Sequence, residues 1–167
     1  ARAPPPDAAN DSINMNRPIG LEQRLAVQMR KAFFDCLHDK LKMEDKTEAI
    51  GWLIRLHEEL SNRFCAVLPS LATQIREHMD TQLFAQQLRN GAYGSEQLGP
   101  LIEYTWQLLG IACAPDMDAE VRTSYARTAS ALEPGAALCV VVPLYLKEAH
   151  TQLDEIINRV RNLRPHG

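Results

Sequence analysis

The chain has 167 residues, 46% of them hydrophobic and 23% charged, with a formal net charge of −3. This length and balance are those of one globular domain able to bury a core without staples. The slight acidity excludes a general attraction to nucleic acid or to an anionic membrane. The longest apolar run, Ala136 to Leu146, is interrupted by Pro143 and falls short of the roughly 20 residues that a membrane-spanning helix needs.

Residues 1–18 read as an extended tail. Pro4, Pro5, Pro6 and Pro18 oppose helix, and alanine, asparagine and aspartate fill the rest. If this tail is ordered, a neighbouring subunit is expected to hold it. Asn10-Asp11-Ser12 matches the glycosylation pattern, which matters only in a secreted chain. The first residue, Ala1, fits either a fragment or a terminus left after removal of a leader. On the second reading the expected address is mitochondrial, and otherwise cytoplasm or flagellum.

A single helical domain is expected over residues 19–167. Its first helix spans Ile19 to Lys42, with Leu21, Leu25, Met29 (or Gln28), Ala32, Phe33, Leu37 and Leu41 as its buried side. Asp45 with Glu48 fits a capping pattern for a second helix reaching Val67, whose stripe is Ile50, Leu53, Ile54, Leu56, Leu60 and Phe64. Leu68-Pro69 ends it. A further helical rhythm follows from Leu71 through Ile75, His78, Met79, Leu83, Phe84 and Leu88, bending near Asp80. Asn90-Gly91 stops it, since both residues tolerate a left-handed cap, and Ala92-Tyr93-Gly94 is a short loop.

From Ser95 the positions Leu98, Leu101, Ile102, Thr105, Leu108, Leu109 and Ala112 recur at three- and four-residue steps, a broad apolar stripe on one helix. Ser95 is expected to cap it, and Pro115 to end it by pushing Ala114 out of helical space. This Leu98–Cys113 rod is expected to be the central helix of the fold. Asp116 and Asp118 offer caps for the next helix, which runs to about Leu132. Glu133-Pro134-Gly135 separates it from the last, Ala136 to Leu163, with Leu138, Val142, Leu146, Ala149, Leu153, Ile156, Ile157 and Val160 in period. Leu138 to Val142 has strand-like composition, but no second such run exists to pair with it. The fold class is therefore all-α: an irregular bundle of about six helices behind a proline-rich tail.

Little here announces chemistry. Cys36, Cys65, Cys113 and Cys139 form no CxxC pair and read as buried thiols of a reducing compartment. His57-Glu58-Glu59-Leu60-Ser61 fails the HExxH pattern because Ser61 stands where the second histidine is required. His57, beside Arg55, Glu58 and Glu59, reads as part of a solvated helix face, as do His38-Asp39 and Glu77-His78. His150 faces His78 or Glu77 only if the fold brings them together. A thiol at Cys113, before a helix N-terminus, is a place for a lowered pKa, but spacing names no base for it. Nucleotide-binding and serine-hydrolase patterns are missing. Arg159, Arg161 and Arg164 form a basic helix end that suits the helix dipole and offers a peripheral contact for phosphate or lipid headgroups. No catalytic, cofactor or metal residue is assigned.

From Thr47 to Val121 the chain resembles the T-complex protein 11 family. The resemblance is carried by Leu68-Pro69, Gln74-Ile75-Arg76-Glu77, Asp80 with Leu83, Gln86-Gln87, Gly91, Leu98, Tyr104 and Leu109. Its most telling piece is Cys113-Ala114-Pro115 with Asp118 and Val121. Met117 stands where the family usually has an arginine. The likeness is weaker from Phe34 to Leu41 and fades beyond Val121. It implies a helical protein with no known catalytic constellation, linked to cyclic-AMP signalling in sperm and fungi and to flagellar function.

Three functions follow as expectations. The first is a non-catalytic helical subunit of a larger assembly, burying well over about 1,000 Å² against other proteins. The second is a signalling adaptor of the cyclic-AMP pathway. The third is an enzyme or metal protein using His57, His78 or Cys113.

Overall fold

In the computed structural model, residues 7–91 and 94–163 are described, with side chains outside residues 7–19, Ser95 and Leu163. Seven α-helices are assigned among them: α1 Asp7–Leu41, α2 Thr47–Val67, α3 Ala72–His78, α4 Thr81–Arg89, α5 Ser95–Ala112, α6 Asp118–Ser130 and α7 Leu138–Leu163. Short 3-10 turns at Pro69–Leu71 and Pro115–Met117 lead into α3 and α6. The class is all-α, and the strand-like run Leu138 to Val142 is the first turn of α7. The chain divides into two units, Ala1–Cys36 and Leu37–Gly167. That division falls inside α1.

The first helix begins at Asp7, inside the stretch expected to be an extended tail. Pro4, Pro5 and Pro6 lie outside the described residues, as do Ala92 and Tyr93 of the loop before α5. Within the first unit the expected buried side of α1 is largely exposed. Leu21, Leu25, Met29 and Ala32 face solvent, Phe33 is half-buried, and Phe34 is buried instead.

In the second unit the core gathers on α7. Val142, Tyr145, Leu146, Ala149 and Leu153 are all fully buried, spaced by three and four residues along one face. α7 packs against α2, α5 and α6, while α2 also carries α3 and α4. The expected centre, α5, packs on α6 and α7. Its stripe is as read: Leu98, Leu101, Ile102, Thr105, Leu108 and Leu109 are buried. α7 thereby joins α2, with its α3 and α4, to the α5–α6 pair. Pro143 is the sixth residue of α7, past the four N-terminal N–H groups that lack an acceptor, so the helix runs through it with one internal hydrogen bond missing.

Helix ends follow local chemistry, sometimes one residue away from the expected cap. Asp45 accepts the Thr47 N–H (3.0 Å) and the Thr47 hydroxyl (2.7 Å), and these bonds hold its carboxyl below the usual range. Glu48 does not close a capping box; it pairs with Lys40 at 3.0 Å. The bend expected near Asp80 is a full break. The Asp80 carboxylate accepts the N–H groups of Gln82 and Leu83 and starts α4 as a new helix. Gly91 adopts φ +63°, the left-handed position anticipated from Asn90-Gly91. At α5 the cap is Gly94, whose N–H donates to Gln97 Oε1 at 2.9 Å, so Gln97 does the work assigned to Ser95. Neither Asp116 nor Asp118 caps α6 through its side chain; they pair with Arg159 and Arg122.

One buried polar bond ties α5 to α7. The Thr105 hydroxyl donates its single proton to the Leu101 carbonyl at 2.8 Å. The Tyr145 hydroxyl, 2.8 Å from the same oxygen, is therefore the donor to Thr105. Trp106 and Tyr145 lie with ring centroids 6.2 Å apart, and Trp106 stands at the same distance from Tyr125 of α6. Thr105→Val removes the acceptor from a buried phenol and is expected to cost about 1–3 kcal/mol, against about 1 kcal/mol for Tyr145→Phe. Urea unfolding of the two variants checks the order.

Candidate functional site

The strongest candidate for chemistry in the second unit is the seam where α2 meets α7 and α4. Leu53, His57, Leu60 and Phe64 recur at four, three and four residues and are all buried on α2. His57 is thus a core residue, which corrects the solvated-face reading; Glu58 and Glu59 beside it are exposed. Its ring stacks on Phe84 of α4, with centroids 4.2 Å apart and planes 11° from parallel. Nδ1 lies 3.0 Å from Thr81 Oγ1, and Nε2 has no hydrogen-bond partner among the described residues. Burial lowers the His57 pKa from 6.5 to about 4; the Asp80 carboxylate opposes that shift and His150 adds to it.

His150 faces α2, not His78 or Glu77. Arg63 Nη1 donates to its Nδ1 at 3.0 Å. A guanidinium can only donate, so Nδ1 carries a lone pair and Nε2 carries the proton. Nε2–H then donates to the Leu56 carbonyl at 2.9 Å. Arg63 also pairs with Asp154, one turn further along α7. The seam therefore holds one arginine, one carboxylate and a histidine fixed as the neutral Nε2–H tautomer. On the other side of α7, Glu148 accepts from Ser124 and Arg127 of α6, each at 2.9 Å. These groups bind helix to helix. Among the described residues, no three His, Cys, Asp or Glu side chains converge as metal ligands.

The remaining sequence candidates are dispersed. His78 on α3 bonds the Gln74 carbonyl at 2.9 Å and stacks on Tyr104, centroids 4.4 Å apart. Partial burial raises the Cys113 pKa, with the Asp118 carboxylate adding to it, the reverse of an activated thiol; its Sγ donates to the Gly110 carbonyl. Of the four thiols only Cys65 is buried, while Cys36 is exposed. Arg159 is engaged by Asp116. Arg161, two residues on, lies about 200° round the helix, and Arg164 is outside the described residues. Arg159 and Arg161 therefore do not point the same way from α7.

A surface candidate remains, in the first unit. Leu21, Leu25 and Met29 are 67%, 54% and 64% exposed. They stand four residues apart, so they form one row along three turns of α1. Scattered exposed leucines are ordinary, but a continuous apolar row on a helix is the form of a contact surface. The sequence signal for this row was present; only its burial was misassigned.

A family model described as T-complex protein 11 matches residues 8–163. The match runs well beyond the Thr47–Val121 segment in which the motifs are densest. No solved structure matches the chain. Among the described residues, no helix is long and apolar enough to cross a membrane.

Two outcomes follow from the seam. His57 is neutral in the folded chain well below pH 6.5, whereas the unfolded chain takes up a proton there. Stability is therefore full above pH 6.5 and falls as pH drops towards 4, by about 3 kcal/mol for this group. His57→Gln should flatten that part of a stability-versus-pH curve measured by urea unfolding. Arg63→Met removes one ion-pair partner of Asp154 and one donor to His150, and should cost about 1–3 kcal/mol at pH 7, read by the same method.

Proposed function

The chain belongs to the T-complex protein 11 family, and we propose that it works by binding other proteins, as a non-catalytic helical subunit of a larger assembly. The observation that carries this reading is the row Leu21, Leu25 and Met29 on α1. Burying such a row in a partner gains about 25 cal/mol for each Å² of apolar surface taken from water.

The interior supports the same reading. His57 is stacked on Phe84 and bonded to the Thr81 hydroxyl, and its depressed pKa stems first from burial. His150 has both ring nitrogens engaged by α2. Cys113 has a raised pKa. Each polar group that drew attention in the sequence is committed to holding helices together or lies alone.

The test is gentle extraction from the native source, with cytosolic, mitochondrial and flagellar fractions kept apart, since an assembly in any of them fits the proposal. Size-exclusion chromatography with light scattering should place the protein in a complex well above its own 18.8 kDa. A monodisperse monomer in every fraction overturns it. Leu21→Glu with Leu25→Glu, on an exposed face, should change folding stability by no more than about 0.5 kcal/mol each while releasing the chain from the complex.

A further inference from the structure

We propose that the occupant of the α1 row is an amphipathic helix of a partner protein whose apolar face is bordered by carboxylates. This rests on the reading of the chain as a protein-binding subunit and names the partner's chemistry. The row is about 12 Å long from Leu21 to Met29, at 1.5 Å per residue, which matches two to three turns of a second helix laid along it. Ala32, also exposed, continues it by a turn with a small side chain that lets a partner approach closely.

Charge selects among the possible occupants. Arg24 and Lys31 are exposed and seven residues apart, so they fall on the same border of the row. The opposite border carries Glu22 and the half-buried Phe33. Asp35, the acid on the basic border, lies a turn beyond Lys31 and past Met29. In a helix pair, residues flanking the apolar seam meet the flanks of the partner, and opposite charges there set partner choice. A partner with Glu or Asp at its flanking positions answers Arg24 and Lys31. A second copy of this chain does not: laid antiparallel it sets basic border against basic border, and laid parallel it offers Glu22 as the single acid. An anionic lipid surface is disfavoured by the carboxylates of Glu22 and Asp35 at the two ends of the row and by the net charge of −3.

The probes are two synthetic amphipathic peptides of about three heptads with identical leucine seams, one with Glu and the other with Lys at the flanking positions. Binding to the full chain is read by fluorescence anisotropy. The Glu peptide should bind about tenfold or more tighter at low salt, and the ratio should shrink as salt shortens the screening length to a few ångströms near 1 M. Arg24→Glu with Lys31→Glu should invert the preference, and Leu25→Glu should abolish binding of both peptides with α-helical circular dichroism unchanged.

Equal binding of the two peptides, or binding of neither, overturns the proposal. So does a concentration-dependent dimer of the free chain, seen by sedimentation and lost in Leu25→Glu, which would make the occupant a second copy. Flotation with phosphatidylserine vesicles in the absence of peptide binding would assign the row to lipid, and also overturns it. An intact native complex with no charge preference rejects this inference alone, whereas a monomer in every native fraction rejects the subunit reading itself.

Discussion

The second unit depends on one constraint: α7 must be buried along its length while it joins two groups of helices. Val142, Tyr145, Leu146, Ala149 and Leu153 leave no exposed surface. A helix in that position satisfies its own backbone but brings every inward side chain into competition for space and polar partners. The polar positions lie where α7 meets a neighbour that can answer them. Tyr145 reaches Thr105 on α5, Glu148 reaches Ser124 and Arg127 on α6, and His150 and Asp154 reach Arg63 on α2. Apolar contact supplies the drive for packing, and these bonds fix the rotation and register of α7 against each neighbour. Sliding α7 by one turn would break bonds to three helices at once.

Within this scheme His57 is a packed ring of the core. A catalytic histidine needs a pKa near its working pH and a path to the proton it moves. His57 has been moved the other way, to about 4, by loss of water. Its ring is held flat against Phe84 and its Nε2 is left without a partner, an arrangement that costs stability on its own and suits a neutral, packed ring. His150 is tied by a different device, Arg63 donating to Nδ1 while Nε2–H donates to the Leu56 carbonyl. The two buried histidines are thus fixed in separate ways, one by stacking and burial and the other by hydrogen bonds to α2.

The helices were legible in the sequence because three- and four-residue apolar spacing survives any packing arrangement. The break at Pro115 and the left-handed Gly91 follow from backbone chemistry that acts within a few residues, whereas the helical assignment of Leu138 to Val142 follows from the lack of a second strand-like run to pair with it. The hub was not legible. α5 has a continuous stripe, but whether a helix is central depends on which neighbours it meets, and no local pattern encodes that. His57 was misread by weighing its charged neighbours Glu58 and Glu59, when its spacing to Leu53, Leu60 and Phe64 places it on the buried face. The caps were displaced because a side chain one or two residues away reached the free N–H first, as Gln97 does at Gly94. The Arg63–His150–Asp154 cluster joins residues 87 and 91 positions apart, a separation across which sequence spacing carries no information.

The α1 row was visible as periodicity and misjudged as core, and that error is informative in physical terms. Amphipathic spacing says that a face prefers to be out of water; it does not say that the same chain supplies the cover. Leu37 and Leu41 of the second unit fulfil the preference, since both are buried, whereas Leu21, Leu25 and Met29 do not. A fold can tolerate this because exposed apolar residues were equally exposed in the unfolded chain, so they cost folding little. What they carry is a solvation free energy still to be gained. Selection for stability alone gives no reason to place leucines and a methionine four residues apart on an exposed helix, where glutamate, lysine or glutamine serve helix propensity as well. A row of that kind is a face whose spacing prefers cover that the interior of the described chain does not supply.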